Sequence, residues 1–154
     1  DTEPIEALVE LPVDAHIPES YVPEERLRLE AYKGIASVGS QEDIEAAIAE
    51  LQDRYGQFPA PVETLFEVAR LRLLARKAGL SEVVVAGSRI RFSPVELPDS
   101  RIMRFTRLYP GTQIKPATRT ALVPRPATAK VGGKPLINRE LINWASELIE
   151  SVFL

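Results

Sequence analysis

Residues 59–93 read PAPVETLFEVARLRLLARKAGLSEVVVAGSRIRFS and join a helical pattern directly to a hairpin pattern. Apolar residues recur every three or four positions from about Val62 to Ala78, which predicts a helix with an apolar face broad enough for a central position. Gly79 ends this helix. Two alternating segments then flank Gly87-Ser88, a pair that favours the two-residue turn of a β-hairpin. The stretch therefore predicts both helices and strands in this chain.

The residues before this stretch predict two further helices and one strand. We expect a helix from about Glu24 to Ser37, and a second helix that begins at Ser40 in a capping box and ends at Gly56. The imperfect alternation of residues 5–11 predicts a short edge strand.

The residues after the hairpin predict two helices and three short strands. The helices run from about Pro98 to Tyr109 and from about Asn138 to Val152. The strands, which prolines interrupt, are expected at 113–115, 120–123 and 128–131. The predicted fold class is α+β: a single compact domain over residues 1–154, with about five helices packed around a β-hairpin and short strands.

Composition excludes several classes of protein. The chain has 154 residues, 45% of them apolar and 27% charged, unlike a disordered, collagen-like or coiled-coil chain. No apolar run approaches the ~18 residues of a membrane span and no secretory leader is recognisable, so we expect a cytoplasmic protein. The absence of cysteine excludes disulfides and thiol nucleophiles. Because the chain begins at Asp1, we expect a fragment of a larger protein.

The small net charge of −3 hides a separation of charge along the chain. Residues 1–60 contain 14 acids and 4 bases, whereas residues 61–154 contain 8 acids and 15 bases. No acid lies between Asp99 and Glu140, a segment with nine lysines and arginines. This asymmetry favours either attraction between the two halves inside one domain, or charged partners: a basic protein for the acidic surface, or nucleic acid for the basic one.

The sequence offers no constellation that supports catalysis or cofactor binding. Residues 131–135, VGGKP, are similar to the end of a phosphate-binding loop. However, Thr128 stands where that loop needs its first glycine, and Pro135 stands where it needs the hydroxyl that binds magnesium. A hairpin turn is therefore the better interpretation. His16, the only histidine, has no second imidazole for a zinc site. Trp144 has the spacing of a core residue. We therefore expect no enzyme, no metal and no cofactor in this chain; a small hydrolase with a carboxylate pair has nothing positive to support it.

Arg101, Arg104 and Arg107 follow each other every three residues on the predicted fourth helix. Clustered cations neutralise phosphates and give a salt-dependent affinity for nucleic acid. However, the segment lacks interleaved aromatic residues and matches no groove-reading motif. A nucleic-acid-binding module that uses residues 101–139 is therefore the alternative function and not the leading one.

Several segments together resemble the C-terminal domain of the bacterial transcription-repair coupling factor (Mfd) family. The residues that carry the resemblance are Glu50-Leu51-Gln52-Asp53-Arg54-Tyr55-Gly56, Pro59, Pro61, Leu65, Ala69-Arg70-Leu71-Arg72, Ala75 and Ala78-Gly79, preceded by Ile17-Pro18, Arg26, Leu29, Tyr32-Lys33 and Ile35-Ala36. The resemblance covers essentially the whole chain and is specific from about residue 8 to residue 80.

This resemblance implies an autoinhibitory protein-interaction domain. The parent protein of such a domain is an ATP-dependent DNA translocase that displaces stalled RNA polymerase and recruits the repair protein UvrA, with ATP and magnesium bound by an upstream motor. At rest, the domain packs on the parent's own UvrB-like module and covers the surface for UvrA. Residues 1–7 are then expected to be a linker to the motor.

Glu50 and Asp53 match the family motif at positions that the closed state places against basic side chains of the UvrB-like module. They lie three residues apart on the second predicted helix, so their carboxylates share a face, away from its apolar stripe. Arg54 beside them is expected to pair within the domain. The alternative for Glu50 and Asp53 is a solvated acidic helix end without a partner.

Overall fold

The computed structural model describes residues 6–154, and within this range the chain forms five α-helices and a five-stranded mixed sheet. The helices are α1 (Glu25–Ala36), α2 (Gln41–Tyr55), α3 (Ala60–Lys77), α4 (Asp99–Leu108) and α5 (Asn138–Leu148). The strands are β1 (Leu8–Glu10), β2 (Glu82–Ala86), β3 (Arg89–Ser93), β4 (Gln113–Lys115) and β5 (Thr120–Pro124). A 3₁₀ turn at Pro116–Thr118 joins β4 to β5, and a π-helical turn at Ile149–Phe153 extends α5.

The α+β fold predicted from the sequence is confirmed. Each helix begins and ends within two residues of its predicted limits when the π-helical turn is counted with α5. β1 is an edge strand, as expected, although Ile5 at the start of its predicted range lies outside the described residues. Most of the linker expected at residues 1–7 also lies outside them and stays a prediction; Ala7 itself is buried.

The strand expected at residues 128–131 is wrong, because these residues lie in a turn. Ala127 and Pro135 form an isolated antiparallel bridge across it, and the Thr128 N–H donates to the Lys134 carbonyl at 2.9 Å. A Cβ on Gly133 would lie 2.4 Å from the backbone N and O of Ala129, so only glycine fits there. The hairpin-turn interpretation of residues 131–135 is confirmed.

The sheet has the order β1-β2-β3-β5-β4, with β1 parallel to β2 and the other neighbours antiparallel. One of its faces is covered by α3, α5 and the π-helical turn. We call the apolar core between this face and these helices the sheet cluster. Its buried residues are Ala7, Leu71, Ala75, Leu80, Val83, Ile90, Phe92, Val95, Phe105, Ala121, Val123, Leu141, Ile142, Ala145, Leu148, Ile149 and Val152. Trp144 packs against this cluster with its ring centroid 6.2 Å from that of Phe92, as expected for a packing residue.

A second apolar core, the helical cluster, lies among α1, α2 and the first half of α3. Its buried residues are Ile17, Val22, Ile35, Val38, Ile44, Leu51, Val62, Phe66 and Ala69. The capping box of α2 is confirmed in part: the Asp43 N–H donates to the Ser40 hydroxyl at 3.1 Å, while the Asp43 carboxylate accepts from Gly39 rather than from Ser40.

Helix α3 belongs to both clusters. Val62, Phe66 and Ala69 in its first half are buried in the helical cluster, and Leu71 and Ala75 in its second half are buried in the sheet cluster. The broad apolar surface of α3 suits a helix between two cores, because one face is buried in its first half and another face in its second half. The two cores are therefore coupled through one rigid element.

We expect Phe66→Ala to destabilise both clusters together. Phe66 is 1% exposed, and removing a buried phenylalanine ring costs about 3–5 kcal/mol. Chemical unfolding followed by Trp144 fluorescence, which reports on the sheet cluster, should show the same loss of stability as far-UV circular dichroism. Leu29→Ala, at a position 54% exposed, is the control and should change stability by about 0.5 kcal/mol or less. A Trp144 transition that keeps its original midpoint in the Phe66 variant would show that α3 does not couple the cores.

Candidate interaction surface

The last two turns of α2 present Glu50 and Asp53 to solvent on the outer face of the helical layer. Both residues are exposed, while Leu51 between them is 7% exposed and faces the helical cluster. The placement agrees with the predicted face, and the core does not use either carboxylate. We call these two residues the acidic helix end.

The backbone beneath the acidic helix end is held by Tyr21. Its hydroxyl donates to the carbonyl of Gly56 at 2.7 Å and lies 3.3 Å from the carbonyl of Leu51. Gly56 directly follows the last residue of α2, so the hydrogen bond to its carbonyl ties the segment after the helix to the Tyr21 side chain. Burial, with a smaller contribution from Tyr55, raises the pKa of the Tyr21 hydroxyl above its usual value.

Aromatic rings fix the same region from the inside. The ring centroids of Tyr21 and Tyr55 are 5.7 Å apart, those of Tyr21 and Phe58 are 6.0 Å apart, and Phe58 stacks on the buried Phe66 at 5.2 Å. Aromatic pairs at these distances stabilise a defined geometry beyond the area that they bury. The acidic helix end is thus mounted on a rigid base that reaches the core of the domain.

Arg54 pairs within the domain, as expected. Its Nη1 lies 3.8 Å from Glu50 Oε1, and its guanidinium lies 5.5 Å from the centre of the Tyr55 ring. The side chain of Glu50 remains 71% exposed in this pair, and exposed pairs one turn apart on a helix contribute only about 0.3–0.5 kcal/mol. Glu50 therefore keeps its carboxylate accessible to a partner.

A small apolar groove adjoins Glu50 between α1 and α2. It has a volume of ≈ 120 Å³ and is lined by Leu27, Glu30, Ala31, Gly34, Ile35, Ala47, Glu50, Leu51, Arg54 and Tyr55. The small residues Ala31, Gly34 and Ala47 leave the space between the helices open. Sequence reasoning missed this groove, although small residues on facing stripes of neighbouring helices were its available signal. Asp53 does not line it.

The arginines of α4 do not form one free cluster. Successive steps of three residues turn about 60° around a helix, so Arg101, Arg104 and Arg107 spread over about 120°. Arg104 donates from its guanidinium to the carbonyl of Ser151 and thereby ties α4 to the π-helical turn. Arg101 is half-buried and Arg107 is exposed.

Other cations of the basic stretch are also engaged. Arg119 forms an ion pair with Glu96, and Arg139 Nη2 lies 3.6 Å from Glu67 Oε1. Among residues 6–154, each of the ion pairs joins groups within the same half of the chain, before or after residue 60. Among these residues, no ion pair supports attraction between the acidic and basic halves, one of the two interpretations of the charge asymmetry, although Glu6 in the first half acts to raise the pKa of Arg72 in the second.

The remaining sequence candidate is His16, whose side chain is about half exposed. His16 Nδ1 lies 2.7 Å from Asp14 Oδ1, with both side chains about half exposed or more, as in a surface pair. In the described part of the chain, no three histidines or carboxylates lie close enough together to hold a metal ion. None of the helices formed by residues 6–154 is long and apolar enough to cross a membrane.

The described residues form an α+β domain in which Glu50 and Asp53 lie on an exposed helix surface. A family model described as the TRCF domain matches residues 11–104, and the chain belongs to this family. A solved structure titled crystal structure of C-terminal domain of transcription-repair coupling factor has a TM-score of 0.70 and 17% identity, covering 96% of this chain and 94% of that chain. This likeness concerns the fold.

The relatives are named transcription-repair-coupling factors. Those of Mycobacterium bovis and Mycobacterium tuberculosis are each 40% identical over 151 residues, which is 97% of this chain and 12% of theirs. The Escherichia coli protein is 39% identical over 75 residues, which is 49% of this chain and 6% of that protein. The chain therefore spans about an eighth or less of the length of these relatives.

We expect Tyr21→Phe to loosen the base of the acidic helix end without unfolding the domain. Loss of the hydroxyl removes its hydrogen bond to Gly56, which should lower the free energy of unfolding by about 0.5–1.5 kcal/mol at pH 7. Urea unfolding measures this change. Tyr55→Phe is the control, because among the described residues the Tyr55 hydroxyl has no hydrogen bond, and it should have the smaller effect.

The pH dependence of stability gives a second measure of the hydrogen bond from Tyr21 to Gly56. Because the pKa of Tyr21 is raised in the folded state, the unfolded chain ionises first; the stability from its neutral hydroxyl is complete below pH ~10 and is lost as pH rises through the folded pKa. The difference in stability between the original chain and Tyr21→Phe should therefore shrink above pH ~10. A difference that is absent at pH 7, or that grows with alkaline pH, would contradict the role given to this hydroxyl.

Proposed function

We propose that this chain is the autoinhibitory protein-interaction domain of a transcription-repair coupling factor. In the resting parent, the acidic helix end contacts basic side chains of the parent's own UvrB-like module and covers the surface that recruits UvrA. The parent is an ATP-dependent DNA translocase that acts on stalled RNA polymerase in transcription-coupled repair. Its ATP and magnesium belong to the motor domains, and no nucleotide site is assigned to this chain.

The observation that carries this proposal is the pair of accessible carboxylates on an anchored helix end. Glu50 and Asp53 lie outside the core, and the only intramolecular ion pair of either one among residues 6–154 is the long Glu50–Arg54 contact of 3.8 Å. Preorganised charges contribute more to binding than mobile ones, because less conformational entropy is lost when the partner docks. The family to which the chain belongs, through its TRCF domain match, is consistent with this role.

The groove beside Glu50 strengthens the case for a protein partner. Specific protein interfaces combine an apolar centre with a polar rim, and the rim charges set orientation and association rate. Here Leu27, Ala31 and Tyr55 supply apolar surface. The charged groups beside it are two carboxylates, Glu30 and Glu50, and one cation, Arg54. A basic partner with one apolar side chain at its centre fits this surface, whereas a nucleic acid would be repelled by its carboxylates.

The alternative, a nucleic-acid-binding module of residues 101–139, has weaker support. Arg104, Arg119 and Arg139 already have partners within the domain. The charge of the segment nevertheless remains positive, since no acid lies between Asp99 and Glu140. Binding of duplex DNA by the 154-residue chain, with an affinity that falls steeply as salt rises, would favour this alternative.

We expect Glu50→Lys with Asp53→Lys to open the closed state of the full-length parent. The two lysines would repel the basic groups of the partner. Loss of a close interfacial ion pair costs about 2–5 kcal/mol of binding free energy when the pair is buried and less when it lies at a rim. Binding of UvrA by the full-length protein and its resting ATPase activity should both rise.

The matched control is Glu42→Lys with Glu45→Lys, which changes the charge equally at exposed positions in the first half of the same helix. It should leave UvrA binding unchanged. The isolated double variant at positions 50 and 53 should also unfold like the original chain, which separates a lost contact from a lost fold. Wild-type UvrA binding by a correctly folded Glu50/Asp53 variant would show that these carboxylates do not hold the domain closed.

A further inference from the structure

A cationic groove lies at the other end of α2 from the acidic helix end. Its larger part has a volume of ≈ 560 Å³ and is lined by Gly39, Ser40, Gln41, Arg70, Leu73, Leu74, Arg76 and Lys77. A smaller part of ≈ 300 Å³ continues along α3 and shares Gly39, Leu73 and Arg76 with it. Gln41 and Asp53 are twelve residues apart on α2, or about 18 Å along its axis, so this surface is separate from the proposed clamp contact.

The larger part of the groove is lined by three cations and no carboxylate. Arg70 is held by Glu67, with Nη1 and Oε1 2.8 Å apart. Arg76 and Lys77 form no ion pair with any group of residues 6–154. The end of a helix favours basic residues through its dipole, which accounts for cations in the last turn of α3 but not for Arg70, nor for the concave shape.

The floor of the groove is apolar. Leu73 packs against the helical cluster and Leu74 against the sheet cluster, and each remains partly accessible from the groove. The groove therefore follows the seam between the two cores. Ser40 and Gln41 add polar side chains on the opposite wall. An apolar strip beside cations is suited to a ligand that carries both an apolar side chain and negative charge.

The smaller part of the groove is held in shape by Arg72. Its Nη2 donates to the carbonyl of Ile35 at 3.1 Å and so closes the end of α1 against α3. Burial lowers the pKa of Arg72, and Glu6 on the same wall opposes this effect. Arg72 thus acts as a structural cation of the wall, while Arg76 and Lys77 remain available.

We propose that this cationic groove is a docking site for an acidic protein segment that places an apolar side chain on Leu73 and Leu74. A segment of protein fits better than nucleic acid for two reasons. No aromatic residue lines either part of the groove, so bases have no stacking surface. In addition, Leu73 and Leu74 offer an apolar surface that suits an apolar side chain of a protein segment, which a chain of phosphates does not carry.

The test is binding of a short fluorescent peptide of glutamate, aspartate and leucine to the 154-residue chain, measured by anisotropy and mapped by amide chemical shifts. Shifts are expected at 39–41 and 70–77, with none at Glu50 and Asp53. Arg76→Glu with Lys77→Glu should weaken binding about tenfold or more, because it reverses both unpaired cations. Lys130→Glu with Lys134→Glu, an equal change at the exposed hairpin turn, should change the affinity less than about twofold.

A serine-containing peptide and duplex DNA test the apolar contact and the class of ligand separately. The same peptide with serine in place of leucine should bind clearly more weakly, and duplex DNA should not displace the original peptide from the groove. No peptide binding up to millimolar concentration, shifts elsewhere on the surface, or equal affinity for the serine peptide would overturn the proposal. Displacement by DNA with shifts at the same residues would also overturn it and assign the groove to nucleic acid. None of these outcomes depends on whether Glu50 and Asp53 hold the parent closed.

Discussion

Helix α3 is the element on which the rest of the domain depends, because two apolar cores are built on one helix. Its 18 residues span about 27 Å, long enough for Phe66 to lie in the helical cluster while Ala75 lies in the sheet cluster. Neither core can be repacked without moving this helix, since interiors are densely packed. Helices α1 and α2, which pack on the first half of α3, are consequently held at a fixed position relative to the sheet.

This arrangement explains how one domain can present two distinct charged surfaces. The acidic helix end rests on Tyr21 and Tyr55 of the helical cluster, whereas the cationic groove rests on Leu73 and Leu74 at the seam between the two clusters. The ion pairs of the described residues stay within each half of the chain, which leaves the asymmetry of charge unneutralised by internal pairs across residue 60. Such uncompensated charge steers partners and fixes their orientation.

Much of the fold could be predicted from the sequence, because local signals and tertiary packing agree. The Ser40 cap, the Gly87-Ser88 turn and the periodicity of α3 each determined an element correctly. The prediction of a strand at 128–131 was wrong because Gly132 and Gly133 lie where the chain reverses direction. The backbone geometry of this turn outweighs the alternation of apolar and polar residues. Strand order and both grooves could not be predicted, because they depend on which distant segments meet. From the sequence, Arg76 and Lys77 indicate only the end of a helix. Their position beside Ser40 depends on tertiary packing.

Carboxyl labelling of the full-length parent, read by mass spectrometry, tests the central claim most directly, since it measures the accessibility of Glu50 and Asp53 themselves. In the resting parent we expect both carboxylates to be labelled much more slowly than in the 154-residue chain, in which they are exposed. Glu42 and Glu45 on the same helix should be labelled equally in the two proteins, and translocation on DNA with ATP should restore labelling of Glu50 and Asp53. Equal labelling of Glu50 and Asp53 in the resting parent and in the 154-residue chain would contradict the account.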